Sequence, residues 1–266
     1  MKRMILGALI LSLYGCGSDA SRNPGAAGTG NVGDAGAGNI GAAGNGNGAA
    51  GSDDHGGAGS DGSGTGECSA AREQLLGAVD SVSTGEVTVL ATEDDVTSLY
   101  IDATAGGTAA AASNPWIFVS LADSERVDVT DVTSTESTAW DLALKRALLY
   151  TNSGEAGPGQ GGAALIDKEF ADVSADDARD AEFSTEKFFD AECNPTLDVT
   201  GAASTSFSTW YDYDSESHAL SPHPGTWLVH GGTGKLYKLR ITNYYGTSDG
   251  GTGMAGGAYL IDVAAL

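Results

Sequence analysis

Residues 17–66 are built almost entirely of Gly, Ala, Asn, Ser and Asp, with Ile40 the main large apolar side chain. Such a stretch cannot bury enough surface to offset the entropy of ordering it. Any sizeable core is therefore confined to residues 68–266. The tract reads as a disordered leash, with an r.m.s. reach of roughly 40 Å and a stretched length of about 170 Å. His55 lies in it and reads as a solvated residue.

A second N-terminal feature precedes the leash. Met1, Lys2 and Arg3 make a short basic start, and residues 4–14 are an apolar run. The run is too short to span a bilayer as a mature helix and has the layout of a secretory signal peptide. It ends in Leu13-Tyr14-Gly15-Cys16, which resembles a bacterial lipobox. The resemblance implies a signal peptide over 1–15, a lipid on Cys16, a linker over 16–67 and a domain over 68–266. Gly17 and Ser18, with no Asp beside the cysteine, fit sorting to the bacterial outer membrane or cell surface.

Formal net charge is −23, from 36 acidic and 13 basic residues. This balance repels nucleic acid and anionic lipid head groups, which are bound through Lys and Arg. Asp212-Tyr213-Asp214-Ser215-Glu216 begins like a calcium loop, but Ser217 stands where the turn glycine belongs and His223 where the closing Glu belongs. The G-x-G-x-x-G matches at 36–41 and 157–162 sit in glycine-rich sequence and not between a strand and a helix, as a dinucleotide site requires. The second reads as a flexible hairpin tip. No H-E-x-x-H zinc motif is present and no nucleophile elbow is read in the chain, so no catalytic residue is assigned and the chain reads as a non-enzyme. With Cys16 lipidated, Cys68 and Cys193 form a plausible disulfide in an exported protein.

Residues 69–82 have helix-compatible spacing through Leu75, Leu76 and Val79. Most of the chain beyond them predicts strands: 86–90, 99–103, 116–121, the alternating 126–132, 227–230, 235–245 and 259–263. Residues 140–150 fit a helix face (Trp140, Leu144, Leu148) or a strand face (Trp140, Leu142, Leu144). The expected fold is all-β, with antiparallel sheets of short strands and one short N-terminal helix; α+β is the alternative. In 235–245, alternation sends Tyr237, Leu239 and Ile241 one way and Lys238, Arg240, Thr242 and Tyr244 the other. Lys238 and Arg240 would there receive an anionic group or, more simply, pair with neighbouring carboxylates.

Residues 210–245 concentrate aromatic side chains and three of the four histidines, His218, His223 and His230. Three blocks in this half of the chain matter together. They are WDLALKR at 140–146 leading into TNSG at 151–154, GQGGA at 159–163, and WYDYD at 210–214 through KLYKLRI at 235–241 to Tyr244 and Tyr245. Their order and spacing resemble the HmuY family of haem-binding bacterial lipoproteins. The resemblance implies an all-β fold, a lipid anchor, haem taken from host or environmental proteins, and a receptor in the outer membrane. It also implies two axial His or Met ligands from separate places. His218 falls at about the second place. At the first, residues 152–217 hold neither His nor Met, so the chain departs from the two-ligand pattern. His218 is the candidate haem-iron ligand, with His223 and His230 as further candidates. Cys193 is a soft alternative unless it is bridged. Trp210, Tyr211 and Tyr213 are candidate pocket-lining residues. The alternative on the same scaffold is a surface interaction module without haem.

Overall fold

The computed structural model describes residues 68–199 and 201–266. Cys16, the lipobox and the leash lie outside them. One α-helix, α1 (Ser69–Leu76), precedes twelve strands. These are β1 (Val87–Glu93), β2 (Val96–Asp102), β3 (Ile117–Ser120), β4 (Glu125–Val127), β5 (Leu142–Lys145) and β6 (Leu148–Thr151). They continue as β7 (Gly162–Ile166), β8 (Tyr211–Asp214), β9 (Ala219–Pro222), β10 (Thr226–His230), β11 (Leu236–Asn243) and β12 (Ala258–Ala265). The fold is mostly antiparallel sheet with one helix, as expected.

Six strands form one sheet in the order β1-β2-β12-β11-β10-β7, four form a second in the order β4-β3-β5-β6, and β8-β9 make a separate hairpin. Strand alternation divides the four-stranded sheet between two cores. Ile117, Val119, Leu142, Leu144 and Leu149 pack with Leu99, Trp227, Leu239 and Ile261 of the six-stranded sheet. Phe118, Ala143 and Tyr150, one residue out of phase, pack with Leu76, Trp116, Trp140 and Phe188 on the opposite face. A sheet buried on both faces has no polar stripe. That is why residues 140–150 show no clean period. The segment is two strands joined at Arg146 and Ala147, with Arg146 at φ +54.

The helix is shorter than its spacing predicts. Gly77 turns away at φ +87 while its N–H bonds Glu73 O, and the Trp116 indole donates to Leu76 O at 2.7 Å. The end of α1 is thus fixed by the second core and not by its own periodicity. A disulfide between Cys68 and Cys193, 125 residues apart, ties the start of α1 to the loop after Phe189. Other departures from the expected pattern have the same origin in tertiary contacts. Of 126–132 only the start is strand, because Asp131 turns its carboxylate inward to accept from Trp116 N at 2.9 Å and Val79 N at 3.2 Å. In β11 a register shift between Ile241 and Asn243 changes the parity, so Tyr244 is buried instead of sharing the Lys238 face.

Three buried polar side chains lock the loops at one end of the two sheets. Asn152 Nδ2 donates to Ser137 O at 2.8 Å and Trp140 O at 2.9 Å, and its Oδ1 accepts from Gly159 N at 3.0 Å. Its backbone bonds Asp141 O at 3.1 Å and Gly161 N at 2.8 Å. Asp141 accepts from Leu121 N at 2.6 Å and Gly232 N at 2.7 Å. Glu186 accepts from Thr151 N at 2.8 Å, Thr151 Oγ1 at 3.0 Å, Ser206 N at 3.0 Å and Ser206 Oγ at 2.5 Å. The run 157–162 is therefore no flexible tip. A Cβ at Gly159 or Gly161 would lie 2.5 or 2.6 Å from Asn152 O, so only glycine lets this backbone close on the asparagine.

Burial raises the carboxyl pKa of Asp131, Asp141 and Glu186, desolvation outweighing the N–H donors that pull the other way. A group raised in this way adds stability that is fully present below its unfolded pKa and is lost as pH rises through the folded value. Lowering the pH from about 7.5 toward about 5 is expected to raise the Tm. Stability should fall again below about pH 4, where half-buried Asp177 and exposed Asp190 and Asp214, whose pKa values are lowered by hydrogen bonds, take up protons. Thermal melts at constant ionic strength test this; a Tm that declines steadily from neutral to mildly acidic pH contradicts it.

Asn152→Ala is expected to cost about 2–4 kcal/mol by stranding two carbonyls and an N–H. Asn152→Asp should cost at least as much at neutral pH, since it aims an acceptor at those carbonyls; urea unfolding of both variants checks the order. Replacing Cys68 and Cys193 by Ser should cost about 2–5 kcal/mol, read in the same assay against the oxidised protein.

Candidate functional site

The β8-β9 hairpin carries most of the candidate ligands. Its root is aromatic. Trp210 is buried, donates Nε1–H to Ala147 O at 2.8 Å, and packs on Tyr211, Tyr244 and Tyr259 with ring centroids 4.9, 5.3 and 5.4 Å away. Leu220 N donates to Tyr245 Oη at 2.9 Å, fastening β9 to the end of β11. Trp210 and Tyr211 do line a cavity, with Ala147, Leu148 and Phe207, but it measures about 170 Å³. Drug-sized ligands usually occupy roughly 300–1,000 Å³. Tyr213 is not part of it; its side chain is exposed further along the hairpin.

At the tip, His218 sits at φ +58, and its Nδ1 lies 2.5 Å from Tyr213 Oη. Asp214 builds the turn, accepting from Glu216 N at 2.8 Å and Ser217 Oγ at 2.7 Å. These bonds hold its pKa below the ordinary aspartate value. This carboxylate of the calcium-like pattern is therefore spent on the turn. His223 lies past the other end of β9, its Nδ1 3.1 Å from Asp212 Oδ2. Five positions apart in sequence, His218 and His223 are about 16 Å apart along the strand. His230 closes β10 in the six-stranded sheet. Its Nδ1–H donates to Gly234 O at 3.0 Å, and its ring packs on Phe183 at 4.4 Å.

The three histidines thus occupy separate places. Among the described residues no three His, Cys, Asp or Glu side chains group as a metal site. Cys193 is held in the disulfide and is no iron ligand. The three histidines do share one property: each has Nδ1 in a hydrogen bond. Where Nδ1 carries the proton, Nε2 is left with its lone pair, the usual arrangement of a metal-binding imidazole. Lys238 and Arg240 are engaged within the protein. Lys238 Nζ donates to Phe170 O at 2.9 Å and Val173 O at 3.1 Å, and Arg240 pairs with Asp262 at 2.6 Å.

A larger groove of about 450 Å³ lies elsewhere, between α1 and the β5-β6 turn. Leu75, Trp116, Ala147 and Leu148 line it, with Lys145 among them. Lys145 is 8% exposed and has its Nζ 5.6 Å from the centre of the Trp116 ring. Burial lowers its pKa, and the Asp131 carboxylate partly restores it. The sequence signal for this residue is its parity: Lys145 is two residues from Ala143, hence on the buried face toward α1.

The fold and its sites define an antiparallel two-sheet protein with a projecting aromatic hairpin. The family model described as HmuY protein matches residues 112–256, and the chain belongs to the HmuY family. Three solved structures are similar to it. A candidate lipoprotein of Bacteroides fragilis NCTC 9343 matches with a TM-score of 0.43 at 15% identity, over 67% of this chain and 94% of that one. A candidate HmuY-like haem-binding protein of Bacteroides vulgatus ATCC 8482 matches with a TM-score of 0.42 at 20% identity, over 67% and 97%. The apo form of a Tannerella forsythia HmuY analogue matches with a TM-score of 0.41 at 13% identity, over 69% and 97%. No curated protein matches this chain.

Proposed function

We propose that this protein is a lipid-anchored binding protein of the bacterial outer membrane or cell surface that takes up haem for iron acquisition. Membership of the HmuY family over residues 112–256 carries the reading. On this view residues 1–15 are a signal peptide, Cys16 bears the lipid, residues 16–67 are the linker, and 68–266 are the binding domain that would meet an outer-membrane receptor.

The donor set fits haem through one protein ligand. His218 is exposed, and its Nδ1 lies against Tyr213 Oη. With Nδ1–H donating to that oxygen, Nε2 is left as a neutral imidazole donor, which suits iron. The set does not supply a two-sided clamp. Residues 152–217 contain no His or Met, and His223 and His230 lie apart from His218. That separation favours a second reading, a surface interaction module of the same fold that binds a protein partner without haem.

Titration of the purified protein with haem, followed by visible spectroscopy, separates the two. A stoichiometric Soret shift is expected, weakened about tenfold in affinity by His218→Ala, a loss of about 1.4 kcal/mol. A wild-type spectrum unchanged at stoichiometric haem removes the haem reading and leaves the interaction module.

A further inference from the structure

Lys145 is the only Lys or Arg among the buried described residues. Its ammonium makes no hydrogen bond to them, and none of their carboxylates lies within ion-pairing distance. Asp131 is near: a Cβ at Gly77 would lie 3.8 Å from both Asp131 Oδ2 and Lys145 Nζ. The two carboxylate oxygens, however, already accept from Trp116 N and Val79 N. Arg146, next in the chain, is committed through its guanidinium to Gly256 O and to Thr108 Oγ1 at 3.1 Å. Glu73 is on the groove's rim, exposed to water. Beyond the Trp116 ring face 5.6 Å away and the field of Asp131, Lys145 has no direct partner; a buried cation so placed is costly, and one that meets a carboxylate in a dry setting recovers much of that cost.

Apart from exposed Gln74, the groove's other walls are apolar: Leu75 and Leu76 from α1, Ala111 and Ala112 from a single 3-10 turn, Trp116, and Leu148. Its volume of about 450 Å³ falls in the usual range for small-molecule sites. An apolar cleft with one charge set at its inner wall is suited to an amphiphile whose head carries the opposite charge.

We infer that the groove between α1 and the β5-β6 turn binds a carboxylic acid with an apolar tail, the carboxylate on Lys145 Nζ and the tail against Leu75, Trp116 and Leu148. The site is distinct from the histidines of the haem reading and does not depend on it. It draws on the local charge, because the protein as a whole, at −23, favours cations.

The test uses the full chain with two probes of the same tail and opposite charge, decanoate and decyltrimethylammonium, in isothermal titration calorimetry. Decanoate is expected to bind at one site per chain, at least tenfold tighter than the cation. Lys145→Gln should weaken decanoate tenfold or more, and Ala112→Trp, at an exposed position on the rim, should block the groove while leaving the circular dichroism spectrum unchanged. The inference is overturned if the wild type shows no decanoate binding up to about 1 mM. It is equally overturned if the cation binds as well, or if Ala112→Trp or a folded Lys145→Gln binds decanoate as the wild type does.

Discussion

The bonds around Asn152 are the constraint on which the loop end of this domain depends. Asn152 is fully buried, and an unpaired amide there would cost about 1–3 kcal/mol for each group left without a partner. It meets that demand by joining the Ser137–Trp140 approach to β5, the turn after β6, and the glycine run before β7. Asp141 and Glu186 extend the same junction to the β10-β11 turn and to the segment at Ser206. Because each of the three is buried and multiply bonded, none can be changed without leaving donors or acceptors stranded. The loops that precede the projecting hairpin are thereby fixed without needing regular secondary structure.

This gives the family-bearing blocks a physical meaning. WDLALKR supplies Asp141 and the doubly buried strand, TNSG supplies Asn152, and GQGGA supplies a backbone able to approach it. They specify the scaffold. His218 and His223 stand apart from the junction, at the tip of the hairpin and past the end of β9, while His230, at the end of β10, borders it through the β10-β11 turn. A scaffold fixed by internal polar bonds tolerates change in its projecting loops. The blocks therefore hold the scaffold whatever side chains the loops beyond them present.

The sheet class is readable because the outer strands obey a simple period. In β11 the alternation correctly places Tyr237, Leu239 and Ile241 inward. It fails at Tyr244, since a one-residue register shift is a property of the pairing with β12 and leaves no local mark. The helix end is hidden for a similar reason: the stop comes from the Trp116 indole, forty residues away in sequence. The glycine run looks flexible because composition reports freedom in the unfolded chain and says nothing of the asparagine it packs against. The site is less legible than the fold. Histidines announce themselves by residue type, whereas the groove at Lys145 needs α1, the 3-10 turn and the β5-β6 turn assembled together.

Strong acidity bears on both ligand readings, though not equally. The hairpin tip is exposed and surrounded by Asp212, Asp214 and Glu216, so an anionic head group there meets a repulsive field that salt screens over about 8 Å. Other cations are largely spent: Arg126 on Asp128, Lys168 on Asp177, Arg179 on Asp176 and Arg240 on Asp262. Lys145 differs because the surrounding protein replaces water and ions, and a charge in such a setting acts at short range with little screening. Net charge therefore sets what approaches the molecule, while the one buried ammonium sets what a groove beside it can hold. An acidic surface and an anion-selective cleft are compatible when the cation is withdrawn from the surface, and the parity of β5 places Lys145 in that position.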